Sequence, residues 1–284
     1  MKIKNPMQLK TLLKNIAKAK GISPQLVLQG FFMERLLDRI ARSKYKNNFI
    51  LKGGFLIAAT VGIEARTTMD IDTTVKGIEL THENIKGIFI EICSIHVGDD
   101  FVFSINRMTD IRNEDDYPGI RLHLLVSYHS IKGWLAVDVT TGDEITPEEI
   151  EINITTILGD IKIPVLAYNF ETILAEKIET ILSRGIANTR LRDFYDVYIF
   201  ITEKKDDIDF DMLRRAITAT SSRRGSAEVI DNYKSVLERI RYDSEMIFRW
   251  ENYRSLYNYT KDISFTEVCD YVEKLMGMIG EREG

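Results

Sequence analysis

The chain changes period once, near residue 167, and that change limits the folds open to it. Before it, short runs rich in β-branched and aromatic residues alternate with helical stretches; after it, apolar residues recur only at helical spacing. Strand candidates fall at 70–75, 101–107, 120–128, 134–140 and 161–166, with turn-forming stretches at 113–119 and 129–133. Leu9, Leu12, Leu13, Ile16 and Ala17 mark a first helix that Gly21 stops, and Ser23-Pro24 starts a second over 24–42. In that second helix Glu34, Arg35, Asp38 and Arg39 read as a solvated face. The apolar run Asn48-Phe49-Ile50-Leu51, broken at Gly53-Gly54, reads as a turn into a helix, and Thr81 caps a further helix reaching 95. Beyond the boundary, helices are expected at 170–183, 191–201, 209–219, 227–241, 244–257 and 265–279. The fold class is therefore α+β: a core with a mixed sheet and flanking helices over 1–167, including N-terminal helices within 5–43, and a helical domain over 168–284.

Composition removes several classes of function. Hydrophobic residues at 44% and charged residues at 29% describe a globular chain rather than a disordered one. The longest apolar stretches, such as 55–61, are too short to span a bilayer, and Met1-Lys2-Ile3-Lys4 lacks an apolar signal core. The expectation is a cytoplasmic protein with no membrane partner. Cys93 and Cys269 stand far apart without a CxxC pattern, and His82, His96, His123 and His129 show no metal-ligand spacing, so any metal would be held by oxygen. A net charge of −5 speaks against coating nucleic acid through bulk electrostatics, yet leaves a local basic patch open.

Three features could carry chemistry in the first half. In Met69-Asp70-Ile71-Asp72 the two aspartates share one face of a strand, close enough to grip one hard cation such as Mg²⁺. Asp-x-Asp pairs also arise at strand ends as solvated or capping residues, so spacing alone leaves both readings open. Upstream, Lys52-Gly53-Gly54 leads into a helix whose free N–H groups could meet a triphosphate; the plainer reading is a chain reversal. Downstream, Asp138 sits between apolar residues of a strand, where burial is costly unless something pairs with it, and a metal shared with Asp70 and Asp72 would do so. In the helical half, Lys177 points away from the apolar face of its helix, and Arg190, Arg192, Asp193, Tyr195, Asp196 and Tyr198 crowd one helix start, where the aspartates could also serve the helix dipole.

Glycine turn, Asp-x-Asp strand and later aspartate, in that order, resemble the polymerase-β-like nucleotidyltransferases. More narrowly, Leu51-Lys52-Gly53-Gly54, Arg66-Thr67-Thr68-Met69-Asp70-Ile71-Asp72, Asp138-Val139-Thr140-Thr141-Gly142-Asp143, Leu174-Ala175-Glu176-Lys177 and Arg192-Asp193-Phe194-Tyr195-Asp196 resemble the AbiEii/AbiGii family. Its members are nucleotidyltransferase toxins of abortive-infection and type IV toxin–antitoxin systems. The resemblance implies a polymerase-β-like core with a C-terminal helical domain and transfer of a nucleoside monophosphate from an NTP, with Mg²⁺, to an RNA acceptor such as tRNA. It implies that Lys52, Gly53 and Gly54 bind nucleotide, that Arg66 with Thr67 or Thr68 positions phosphates, and that Asp70, Asp72 and Asp138 hold metal. Lys177 and Asp193 correspond to the active-site pair of the helical domain. A cognate antitoxin is implied, acting as a transcriptional repressor without a stable complex. Phe55 follows Gly-Gly where many nucleotidyltransferases have Gly-Ser, which leaves backbone amides without that serine hydroxyl. Arg214, Arg215, Arg223, Arg224, Arg239, Arg241 and Arg249 with Trp250, Tyr253 and Tyr257 could form an RNA-binding surface, or equally solvated helix faces with neighbours such as Glu238 and Asp243. Two other readings share the core: a small-molecule, antibiotic-modifying nucleotidyltransferase, and a non-catalytic nucleotide-binding module.

Overall fold

Two capped helices open the chain in the computed structural model, which describes residues 3, 5–64, 66–111, 119–159 and 161–280. Helix α1 (Pro6–Lys20) starts where the Asn5 side chain accepts from Gln8 N and ends at Gly21, whose φ of 66° is a left-handed cap. Helix α2 (Pro24–Arg42) begins at Ser23, which accepts from Leu26 N. The expected solvated face of α2 does not exist. Glu34, Arg35, Asp38 and Arg39 are between 1% and 8% exposed. Arg39 pairs with Asp99 at 2.5 Å, donates to the Phe101 carbonyl at 2.8 Å and lies over the Phe103 ring; Glu34 accepts from Ile157 N at 2.6 Å. Helical period marks a polar stripe without saying whether water or neighbouring residues satisfy it; here loops of the same unit meet Glu34 and Arg39, and Arg42 of the same helix meets Asp38.

The strands are β1 (Phe49–Lys52), β2 (Asp70–Val75), β3 (Val102–Ile111), β4 (Gly119–Tyr128), β5 (Ile131–Thr140), β6 (Ile150–Thr155) and β7 (Lys162–Ala167), joined in one mixed sheet of order β3-β4-β5-β2-β1-β7-β6. β2 runs parallel to β5, and β1 to β7; the remaining pairs are antiparallel. Two strands have no expected counterpart, and β3 runs on to Ile111. β1 is a strand rather than part of a turn, and β6, unanticipated, carries its Ile150-x-Ile152-x-Ile154 alternation at an edge beside β7. β5 starts at Ile131, so the preceding turn shrinks around His129, at φ 51°. The turn expected at 113–119 lies, up to residue 118, outside the described residues.

One face of the sheet is covered. In β4 the side chains of Ile120, Leu122, Leu124 and Val126 are buried while Arg121, His123, Leu125 and Ser127 are half-exposed on the opposite face. Helix α2 packs on β5 and β7, and α4 (His82–Ser94) on β3. Phe31 and Phe32 meet Phe101, whose ring stacks on Tyr128 at 4.5 Å. A Cβ on Gly133 would lie 2.3 Å from the Phe32 ring, so only glycine lets α2 come this close to β5.

The chain divides into two compact units, 1–143 with 149–167, and Glu144–Glu148 with Tyr168–Gly284. The second holds α5 (Phe170–Arg184), α6 (Arg192–Glu203), α7 (Phe210–Arg223), α8 (Ala227–Asp231), α9 (Tyr233–Tyr242), α10 (Ser244–Leu256) and α11 (Phe265–Gly280). The single helix expected at 227–241 is broken at Asn232 into α8 and α9. Four of the arginines considered for an RNA surface in this half are engaged internally, while Arg215, Arg223 and Arg239 are exposed. Arg224 binds Glu176 and Glu179, Arg241 binds Asp270 and Glu273, Arg214 donates to the Ile279 carbonyl, and Arg249 binds Glu245 and the Asn188 carbonyl. Trp250 is fully buried, donating to the Ile263 carbonyl at 3.1 Å. Cys269 is buried and Cys93 half-buried, both as free thiols, with burial pushing them up to about 12 and about 11. Among the described residues no helix is long and apolar enough to cross a membrane.

Removing the buried cation of α2 tests the packing account: Arg39→Ala should lower the unfolding free energy by about 3–5 kcal/mol in urea titration, because Asp99 and the Phe101 carbonyl lose their partner.

Candidate active site

Strand register builds the site. Antiparallel pairing sets Lys52 of β1 opposite Asp72 of β2, parallel pairing sets Asp138 of β5 beside Asp72, and antiparallel pairing sets Arg121 of β4 opposite Asp138. Paired residues share a face, so Arg121, Asp138, Asp72 and Lys52 form one row on the sheet face opposite Ile120 and Leu122, half-exposed at Arg121 and buried at Asp138 and Lys52. Asp70 stands two residues along β2 on the same face, opposite Ala136. Carboxylate oxygens of Asp70, Asp72 and Asp138 lie within 4.8 Å of one another. Three hard oxygen donors at that spacing, with no sulfur or imidazole among them, fit a hard divalent cation. The Thr68 hydroxyl bonds Asp70 Oδ1 at 2.9 Å and Gly54 N donates to Asp72 Oδ2 at 3.3 Å, orienting two of the three.

The glycine pair does more than reverse the chain. Gly53 has φ 66°, and a Cβ there would lie 2.1 Å from Asp72 Oδ2. At Gly54 a Cβ would come 2.9 Å from the Thr68 hydroxyl and 3.3 Å from Arg66 Nη2. Both glycines thus admit the carboxylate and the Arg66–Thr68 segment against the start of α3 (Gly53–Val61), whose N-cap Lys52 supplies no side-chain bond. Arg66, Thr67 and Thr68 are buried, and the Arg66 guanidinium bonds the Thr67 carbonyl. The Lys52 ammonium bonds Asp143 at 2.6 Å, and Thr140 donates to the same carboxylate at 2.8 Å.

Sequence reasoning missed Arg121. Its guanidinium grips Asp138 through two 2.6 Å bonds and lies 3.8 Å from Asp70, and those bonds to Asp138 are the largest cause holding it above its ordinary basicity. The partner that Asp138 needs is therefore already supplied by the protein. The available signal was an arginine at an alternating position of the otherwise apolar run Ile120-Arg121-Leu122. His123, two residues on, is pushed below its ordinary value first by burial and then by Arg107 and Arg121.

The second unit holds the other expected pair. Lys177 on α5 meets Asp193 at 2.5 Å and also Asp196 at 3.0 Å, both aspartates on α6 and both buried. Asp196, which sequence left open between a site role and the helix dipole, is thus also an ion-pair partner of the Lys177 ammonium.

Gly53→Ala should displace Asp72 and weaken Mn²⁺ binding at least tenfold in calorimetric titration, with the circular dichroism spectrum retained. Arg121→Met should do the reverse, tightening Mn²⁺ binding about tenfold or more, because a positive charge 2.6 Å from Asp138 and 3.8 Å from Asp70 is removed.

A search of curated proteins finds no match. Among solved structures, a candidate nucleotidyltransferase from H. pylori matches with a TM-score of 0.51 at 14% identity, covering 93% of this chain and 100% of that one, and so shares the fold. JHP933 from Helicobacter pylori covers 90% of this chain and 92% of its own at 12% identity, with a TM-score of 0.48. The sequence model of the AbiEii nucleotidyl transferase toxins of type IV toxin–antitoxin systems matches residues 35–269, a span that contains every residue of the carboxylate row, the glycine turn and the Lys177 cluster, and the chain belongs to that family.

Proposed function

We propose that this chain is a Mg²⁺-dependent toxin that transfers a nucleoside monophosphate from an NTP to the 3′ end of an RNA, with tRNA as the acceptor, in the cytoplasm. The observation that carries the reading is the all-oxygen triad Asp70, Asp72 and Asp138 set against the Gly53-Gly54 turn. Mg²⁺ bound at the triad would polarise the α-phosphate and activate the attacking hydroxyl. The chain's own residues do the rest. Backbone N–H groups at the start of α3 hold phosphate oxygens, with Arg66 and Lys52 supplying positive charge nearby and Thr68 fixing Asp70. The acceptor 3′-oxygen forms the new bond to the α-phosphorus as the bond to the β-phosphate breaks, pyrophosphate departs, and the hydroxyl proton passes to solvent. Lys177, its ammonium fixed by Asp193 and Asp196, is the helical unit's contribution, an assignment that rests on the family motif. The cognate antitoxin of such a system acts here as a repressor of transcription rather than as a stable binding partner.

Purified protein incubated with each labelled NTP, Mg²⁺ and total tRNA should transfer label and release pyrophosphate in equal amounts. Asp70→Asn should lower both at least a hundredfold and relieve growth arrest on expression, and chelation of divalent ions should abolish transfer. Label on an aminoglycoside but on no RNA would instead favour the antibiotic-modifying reading.

A further inference from the structure

The open face of the sheet continues past the carboxylates onto β5, β4 and β3, and its composition changes there. Trp134 is 58% exposed, on the same face of β5 as Asp138 and four residues before it, about 13 Å away along the strand. Register places Leu125 opposite Trp134, and His123 and Arg107 in the next row towards the triad, beside Ala136 and Asp70. Lys132 lies one row beyond Trp134, opposite Ser127. Arg107 and Lys132 are exposed. The buried Gln29 side chain donates to the Met69 carbonyl at 2.8 Å and to the Trp134 carbonyl at 3.1 Å, so the backbone carrying the indole is tied to the residue preceding Asp70.

We infer that this face, with Trp134 as a base-stacking platform and Arg107 and Lys132 as phosphate contacts, receives the acceptor as a single-stranded RNA segment whose 3′ end reaches the triad. The inference rests on the transfer reading above and names where its acceptor lies. Charge and position choose the occupant. A wide aromatic face between exposed cations matches unpaired bases on a phosphate backbone. Sheet order also separates two flanks: the glycine turn follows β1 on one side of the triad, and the Trp134 face lies on β5 to β3 on the other. In-line displacement needs attacking and leaving oxygens on opposite sides of phosphorus, which places donor phosphates on the glycine flank and acceptor on the tryptophan flank.

The chain has two tryptophans, and the other, Trp250, is fully buried, so quenching reports Trp134. The probe is a short single-stranded oligoribonucleotide with a 3′-deoxy end, titrated against the full chain with Mg²⁺. Wild type should be quenched, Trp134→Phe should bind with much smaller quenching, and Trp134→Ala should bind about tenfold more weakly by fluorescence anisotropy. Arg107→Ala and Lys132→Ala should each flatten the logarithmic salt dependence by about 0.7. Equal affinity of wild type and Trp134→Ala for RNA, quenching by NTP alone, or burial of Trp134 in a homodimer would overturn the surface. A parallel assay with 3′-hydroxyl RNA and labelled NTP separates the two readings: transfer undiminished in Trp134→Ala removes the surface and leaves the function, whereas Trp134-dependent binding without transfer removes the function and leaves the surface.

Discussion

Three carboxylates within 4.8 Å of one another repel, and the rest of the sheet unit is arranged around tolerating that repulsion. Strand register creates the crowding, since β2 brings Asp72 between Lys52 and Asp138 on one face. What balances it is local and specific: the Arg121 fork on Asp138, the Gly54 amide on Asp72 and the Thr68 hydroxyl on Asp70. Each of the three acids thus has at least one polar partner from the protein, and Arg121 also lies 3.8 Å from Asp70. The site resembles a cation centre whose charge is partly met by an arginine, and a divalent ion entering it competes with that guanidinium.

The same crowding explains the glycine turn. Backbone approach to Asp72 at Gly53 and to Thr68 at Gly54 leaves no volume for a Cβ, so the sequence Gly-Gly records contact with the carboxylate row. Where a Gly-Ser turn would place its serine, at Gly54, the nearest hydroxyl is that of Thr68, reaching in from the segment before β2. The open sheet face then acquires a direction, with the glycine turn towards β1 and the exposed Trp134 towards β3, and the carboxylates between them.

Period and order made most of this legible in the sequence. Asp70–Val75 is a strand within the limits expected, the N-caps Ser23 and Thr81 are where polar side chains precede apolar periods, and Asp70, Asp72 and Asp138 do converge. What escaped was whatever depends on a neighbour far along the chain. The buried charges of α2 look like any solvated stripe until loops at 99–101 and 157 are laid against them. Arg121 gains meaning only once antiparallel register puts it opposite Asp138, and Asp196 only once α5 presents Lys177 to it. β6 is legible as the Ile150-x-Ile152-x-Ile154 alternation without any neighbour, whereas composition left the helical arginines open between an RNA surface and paired helix faces, and pairing is what Arg224 and Arg241 show.

The central claim is that the register-built oxygen triad holds a hard divalent cation. Electron paramagnetic resonance of free Mn²⁺ titrated against the protein tests it directly. The account predicts depletion of the free signal by wild type, competed by excess Mg²⁺, and loss of that depletion in Asp72→Asn with the fold intact. Equal depletion by wild type and Asp72→Asn, or none by either, would contradict it.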